Sequence, residues 1–542
     1  MFPILCDIAR PCGPWFSRYS APWSLQATIP SSFATAKCFF LGSLYRTVGG
    51  RLYTSLPLAA SCFSTVNGSP STPNATECAL VQQGYTQPDF RSTHYSAHMM
   101  PQWETCQSTV QRCLLNSNDP SDPTAWEDNE CWQGAIASRY IDVRSEDDVL
   151  AALSFVNETG ANETYPAITI GAGVPFEDVY AFAEENNITV VGGYHQTIAA
   201  SGGWVQAGGH SILSPIYGLG VDRVLQYKIV TLDGVLRTVN KFQNSDLFWA
   251  LRGGAGSTFG VVLESTMLVE PQMSLRVAAI SFNQTADNAR GFLELLVNNS
   301  YKWGQEGWGG HMGPASLINV NPLLTLEEAQ ASVQPIVDYA LAQNGTAVVE
   351  DLASWQTFFG KYVESAEASV GVQTILGSRL IPTDPFFTDD NGKEALVDLM
   401  VKMVDTYAVN PYIIQGTPFL YNYTEGTTSV TPAWRNSLWQ IGFHENMLYN
   451  ATLETMYAQY EIVNNITSWM RELAPDSGAY FNEANPYEPD HEVTFWGDNY
   501  PALLELKNKY DPFKLLDCWM CVGWQGPADE RYSCYLNIST DY

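Results

Sequence analysis

Residues 202–262 read GGWVQAGGHSILSPIYGLGVDRVLQYKIVTLDGVLRTVNKFQNSDLFWALRGGAGSTFGVV, and their glycines decide how the rest of the chain is read. Bulky side chains are sparse at Gly202-Gly203, Gly208-Gly209, Gly218 and Gly253-Gly254-Ala255-Gly256. Backbone without a Cβ can approach a large flat ligand closely and can take positive φ. Gly254-x-Gly256-x-x-x-Gly260 comes near a dinucleotide fingerprint. That site needs a strand directly before the glycines and a helix directly after. Here a helix-like segment starting at Asn244 precedes them and a strand over 259–269 follows, so a Rossmann site is excluded. No Gly-x-x-x-x-Gly-Lys loop and no Gly-x-Ser-x-Gly elbow occurs either.

Working outward, helices and strands alternate. Ser145-Glu-Asp-Asp offers an N-cap and an acidic first turn for a helix to about residue 156. Ala167-Ile-Thr-Ile-Gly reads as a strand, FEDVYAFAEEN at 176–186 as a helix, and Thr189-Val-Val-Gly as a strand. Residues 224–232 alternate as a strand and end in an Asp233-Gly234 turn. From 276 to 475 the text holds aromatic-rich strands and longer helices, at Leu326–Ala342 and 452–473. Residues 64–131 are rich in Ser, Thr, Pro and Asn and carry cysteines, which predicts an extended surface loop.

The C-terminal text, YFNEANPYEPDHEVTFWGDNYPALLELKNKYDPFKLLDC at 480–518, has a recognisable framework. It runs Tyr480-x-Asn482, then Trp496-Gly-x-Asn-Tyr500, then Leu503-x-x-x-Lys507-x-x-Tyr510-Asp-Pro512. With the glycine stretch ahead of it, this resembles the berberine-bridge-enzyme-like FAD oxidases of the vanillyl-alcohol-oxidase superfamily. LGSLYRTVGGRLYTSLPLAASCF at 41–63 and GSRLIPTDPF at 377–386 resemble fungal members. The resemblance implies an α+β chain, with a two-part PCMH-type FAD-binding domain and a substrate domain whose antiparallel sheet is covered by helices. The expected boundaries are a leader and Cys-rich extension over 1–130, an FAD-binding domain over 131–275, a substrate domain over 276–475, and a segment over 476–542 returning to the FAD domain.

The resemblance also implies which residues meet the FAD. Gly193, Tyr194, His195 and Thr197 fall on the family's Gly-x-Cys-Pro-Thr loop, which lacks its Cys here, so a cysteinyl link is excluded there. His195 stands near that position as a polar contact, a covalent ligand or a loop residue. Gly202, Gly203, Gly208, Gly209, His210 and Ser211 match the loop along the flavin. Gly218 and Asp222 match the element after it, and Gly260 and Val261 a strand start near the adenosine or ribityl part. A tight turn is the alternative for each glycine. One part of the family pattern is missing. Members carry an Arg-x-x-Gly-His-type loop after the first helix, where backbone N–H groups hold the pyrophosphate and the His bonds the flavin. Here Asn157-Glu-Thr-Gly160 leads through 161–167 straight into the Ile168-Thr-Ile-Gly strand. A skipped exon, a natural deletion, or a variant holding FAD by other means would each give this text.

Composition narrows the partners. The 542 residues carry 27 Lys+Arg against 57 Asp+Glu, a net charge of -30. Such a chain repels nucleic acid and anionic membranes, and no apolar run reaches the ~18 residues of a membrane span. The 11 cysteines fall between Cys6 and Cys131 or between Cys518 and Cys534. Disulfides pinning an N-terminal extension and a C-terminal tail are expected, with at least one thiol left over. Cys518-x-x-Cys521 lacks the second pair of a zinc site, and His94 and His98 lack an acidic partner motif, so no metal is expected. Asn-x-Ser/Thr sequons recur from Asn67 to Asn537. They point to the secretory pathway or the exterior, although MFPILCDIARPCGPW is not a clean signal peptide.

The chemistry implied is hydride transfer from a reduced carbon to flavin N5, with a base taking a proton and O₂ reoxidising the flavin. Tyr480 is the first candidate base, Asn482 an orienting group, and Glu483 an alternative carboxylate base. Trp303, Trp308, His311 and Trp439 lie in the substrate domain and read first as core. The expected substrate is a small secondary metabolite, of which an ergot-type alkaloid intermediate is one class. An oligosaccharide oxidase and a glycoprotein without catalysis are the alternatives. The expected unit is a monomer acting on a small molecule and O₂. Without the pyrophosphate loop, this chain should retain FAD less well than a full-length relative after gel filtration. Equal retention by the two proteins contradicts that expectation.

Overall fold

The computed structural model describes residues 51–137, 139–142, 166–364 and 370–538. The helix expected over 145–156, the leader, and Cys6, Cys12 and Cys38 lie outside the described residues.

The N-terminal module has a core of its own, contrary to the loop expected over 64–131. Leu58, Ala59, Phe63, Val81, Tyr85 and Leu115 are buried together. Helix α1 (Ala75–Gly84) starts where the Asn74 side chain accepts the Glu77 N–H at 3.2 Å. Disulfides Cys62–Cys78 and Cys113–Cys131 staple this small core, and Cys106–Cys534 ties it to the C-terminal tail. Cys518 and Cys521 pair with each other. Such cross-links substitute for a core too small to hold itself. Under them the Arg91 guanidinium, fully buried, pairs with Glu104 and donates to the carbonyls of Tyr85 and His98. The sequon asparagines Asn67, Asn187, Asn283, Asn344, Asn422 and Asn450 are exposed, as sugar acceptors need to be.

The flavin-domain segment builds a four-stranded antiparallel sheet from β1 (Ala167–Gly171), β2 (Val224–Val230), β3 (Leu236–Asn240) and β4 (Val261–Leu268), in the order β1-β4-β2-β3. Helix α2 (Phe176–Glu185) covers it with Phe176, Val179, Tyr180 and Ala183. The strand read at Thr189-Val-Val-Gly shrinks to Ile188–Thr189. Val190 and Val191 are fully buried in the core beyond it, so their apolarity serves packing and not a ladder.

The substrate domain is a seven-stranded antiparallel sheet: β5 (Leu275–Ser281), β6 (Gly309–Gly313), β7 (Ser316–Asn321), β8 (Thr346–Leu352), β9 (Gln373–Pro382), β10 (Tyr412–Gln415) and β11 (Ser437–Met447). The order is β8-β5-β7-β6-β10-β11-β9. Helices α3 (Ala286–Glu306), α4 (Leu326–Ala342), α5 (Asp390–Tyr407) and α6 (Leu453–Leu473) share a core with one face of it. Thr285, Thr325 and Thr452 cap three of them. Alternation along the strands then divides the sheet. Met312, Ile413, Ile441, Phe443 and Ile375 point into the helical core. Their neighbours His311, Tyr412, Ile414, Gln440 and Leu380 therefore take the opposite face. Register aligns His311 with Ile414, Ile414 with Gln440 and Gln440 with Leu380, a single row across four strands.

The C-terminal segment contributes buried side chains to the flavin-domain core and contains α7 (Tyr500–Tyr510). Arg379 of β9 is buried against it, donating to the carbonyls of Ala474 and Ser477 and pairing with buried Glu488 at 3.4 Å. Removing one partner of a buried pair costs about 3–5 kcal/mol because the other charge is stranded. Arg91→Ala should therefore lower the unfolding free energy by an amount of that size, seen as a lower denaturation midpoint. An unchanged midpoint in chemical denaturation contradicts this.

Candidate active site

The glycine loop reverses direction at Gly208 and Gly209, both at positive φ (139° and 77°). A Cβ on Gly209 would meet the Trp204 ring and the Gly220 backbone at 3.2 Å, so glycine is required by space as well as by φ. Gly220 N–H donates to the Gly209 carbonyl at 2.7 Å and Val221 N–H to that of Gly208 at 3.0 Å. The turn delivers His210, whose ring lies near those of Trp434 and Tyr480.

His210 Nε2 meets Glu483 Oε1 at 2.9 Å, and Gln440 Nε2 donates to Glu483 Oε2 at 2.6 Å. Three segments far apart in sequence thus converge on one carboxylate. Its side chain is 24% exposed and that of His210 11%. Burial alone would raise the Glu483 carboxyl. His210, by charge and hydrogen bond, and Gln440 outweigh it and hold the group below the ordinary carboxylate value. His311 flanks the pair. Burial, then the charge of His210, lowers its pKa to about 4, so it is neutral near pH 7. The Tyr412 ring lies on Gly442, where a Cβ would collide with it.

Tyr480 is engaged otherwise. Its hydroxyl donates to the Trp204 carbonyl at 3.2 Å and accepts from Asn482 Nδ2 at 2.7 Å. Asn482 also donates to the Gly203 carbonyl at 3.1 Å. Burial and then the charge of Glu483 push the phenol well above its ordinary value, so it stays protonated. The Tyr194 ring lies tilted against that of His311, with ring centres 4.1 Å apart, and the Gly193 carbonyl accepts from Tyr180 at 2.6 Å. His195 Nδ1 contacts Thr197 Oγ1 at 3.2 Å.

Other expected contacts serve the loops. Asp222 forms a two-pronged pair with Arg435, both at 2.7 Å, and caps its own short helix through Leu219 N–H at 2.8 Å. Ser211 lies in the following turn, its N–H donating to Ser214 Oγ at 2.9 Å. A Cβ on Gly218 would press on Asp222, and one on Gly260 would strike the Val230 carbonyl, while Val261 pairs with Val230 in the sheet. Trp303, Trp308 and Trp439 are core, as read. Gln440 and Tyr412 were missed. Only the strand register, which one sequence does not carry, brings them to Glu483.

Residues 137–240 match the FAD binding domain family, and residues 479–516 match the berberine and berberine like family. The FAD-linked oxidoreductase ffsJ of Aspergillus flavipes is 37% identical over 584 residues, spanning 93% of this chain and 95% of that protein. The chain belongs to the berberine-bridge-enzyme-like FAD-linked oxidoreductases. The alignment is longer than this 542-residue chain, so it contains gaps. Among solved structures, the VAO-type flavoprotein MtVAO615 of Myceliophthora thermophila C1 has the same fold at TM-score 0.76 and 24% identity, over 92% of this chain and 96% of that one. Glucooligosaccharide oxidase of Acremonium strictum, which carries a 6-S-cysteinyl, 8α-N1-histidyl FAD, matches at TM-score 0.55 and 20% identity, over 66% of this chain and 78% of that one.

The cofactor of this oxidoreductase is FAD, and the residues present fit its ring end. Gln440 Oε1 and His311 Nε2 are shielded from water and have no hydrogen-bond partner among the described residues. Such groups call for a polar ligand edge. Beside them Gly203 is open: a Cβ there would meet only Asn482 Oδ1, at 4.0 Å.

The depressed His311 pKa has a sign that stability measurements can read. Folded His311 binds no proton until about pH 4, whereas the unfolded residue binds one at its ordinary 6.5. Its contribution is therefore present above pH 6.5 and lost as pH falls towards 4. His311→Phe should lose less stability than the wild type between pH 7 and pH 4.5 in urea titrations. Equal losses contradict a neutral buried imidazole.

Proposed function

We propose that this FAD-linked oxidoreductase oxidises a C–H centre bearing a hydroxyl or amine in a small secondary metabolite, with Glu483 as the base. When bound, the flavin accepts the hydride and passes the electrons to O₂. The chain's own residues supply the proton acceptor and the orientation. The observation that carries the reading is the pairing of both Glu483 oxygens with His210 and Gln440. A carboxylate so held is ionised at neutral pH and can accept the proton, while His210 and Gln440 keep its two oxygens in place. Tyr480 starts as a protonated phenol tied to a backbone carbonyl, which favours Glu483 over Tyr480 as base. Asn482 and Tyr480 then brace the Gly203–Trp204 turn, and the neutral His311 and the Tyr412 ring form a wall.

The oligosaccharide reading rests on the fold of neighbours 17–20% identical to this chain. A sugar presents a hydroxyl on nearly every carbon and needs many partners. The groups around Glu483 are few and mostly engaged with one another, which favours a substrate with a single reacting polar group.

Loss of a general base typically costs about 10²–10⁴ in rate. Glu483→Gln should lower kcat by that order in peroxide release from a panel of aromatic and aliphatic alcohols, with flavin content unchanged. Tyr480→Phe should cost less than about tenfold, the scale of one neutral hydrogen bond. The acid limb of kcat/KM in the wild type should fall below the ordinary carboxylate pKa. The opposite order of the two variants sinks the assignment.

A further inference from the structure

A cavity of about 410 Å³ lies next to this site and has no part in the proton chemistry above. Met99 and Met100 of the N-terminal module form one wall, Val370 and Val372 another and Ile198 a third, and His195, Thr197 and Thr374 contribute the polar side chains. His195 Nδ1 and both threonine hydroxyls already have partners. His195 Nδ1 contacts Thr197 at 3.2 Å, and Thr374 Oγ1 donates to Asn446 Oδ1 at 2.9 Å. What the cavity offers a guest is apolar contact. Its walls are held in place: Gly371 N–H donates to the Met99 carbonyl at 2.9 Å, and the Gln102 amide brackets the Thr374 backbone, accepting its N–H at 3.0 Å and donating to its carbonyl. Methionine side chains fitted to irregular apolar guests are adaptable.

The cavity also adjoins the reacting centre. His195 follows Tyr194 in the chain, and the Tyr194 ring sits 4.1 Å from His311, which flanks Glu483. A dry apolar cavity of about 150 Å³ accommodates benzene, so this one holds a ring with substituents.

We propose that this cavity is the specificity pocket of the oxidoreductase and takes an apolar group, an aromatic ring or branched alkyl chain, borne by the substrate beside the carbon that is oxidised. The assignment of the occupant rests on the proposed function. It gives the Cys-rich N-terminal module a role in choosing the substrate.

The test is calorimetric titration of the FAD-loaded full chain with 4-phenyl-1-butanol, an apolar ring on a flexible alcohol. The wild type should bind it saturably. Met100→Trp and Val372→Trp, which fill the cavity, should each weaken binding by at least about tenfold, the scale of one lost buried group, with flavin content unchanged. Met100→Phe serves where a Trp variant does not fold. Binding of the probe is read without turnover and does not depend on which residue is the base, which separates this proposal from the base assignment. Absence of saturable binding to the wild type overturns the proposal, as does unweakened binding by the filled variants. Loss of flavin from folded, filled variants also overturns it, because the cavity would then belong to the cofactor.

Discussion

The site depends on one carboxylate being held from two sides. Glu483 sits on the C-terminal segment, His210 on the glycine loop and Gln440 on the substrate sheet, and each reaches the others only if both sheets are in place. A partly buried charge is tolerated when its lone pairs are satisfied, and here each oxygen has its own donor. The same contact that makes Glu483 tolerable in the fold keeps it ionised, as the proposed base role requires. Backbone geometry enforces it: Gly208 and Gly209 turn the loop through φ values that other residues rarely adopt.

The rest of the molecule fixes the three contributors. Four capped or amphipathic helices claim one face of the seven-stranded sheet, and period-two alternation leaves the other face to His311, Tyr412 and Gln440. Gly442 gives the Tyr412 ring room to lie flat. Arg379 and Glu488, both buried, lock the C-terminal segment to β9 and so set the height of Glu483 over that face. The Cys106–Cys534 bridge and the Arg91–Glu104 pair anchor the N-terminal module that closes one side.

What could be read from the sequence were features carried by consecutive residues. The glycine loop, the Tyr480-x-Asn482-Glu483 run and the helices at Leu326–Ala342 and Leu453–Leu473 depend on local spacing and caps, and the structure has them. The partners of Glu483 were not legible, because Gln440 and Tyr412 are placed by cross-strand register. The N-terminal module was hidden by its Ser, Thr, Pro and Asn content. A few apolar residues and two disulfides suffice to fold it, and composition averages them away. Val190 and Val191 look like strand because they are β-branched, yet burial beyond a two-residue ladder accounts for them.

The central claim is that Glu483 and His210 act as one unit, Glu483 as the proposed proton acceptor and His210 as the group that positions it. A double-mutant cycle on the rate of flavin reduction, followed anaerobically by stopped flow for the wild type, His210→Asn, Glu483→Gln and the double variant, measures it directly. The account predicts strong non-additivity, with the double variant little slower than Glu483→Gln alone. Effects that simply multiply, as for two independent residues, would contradict it.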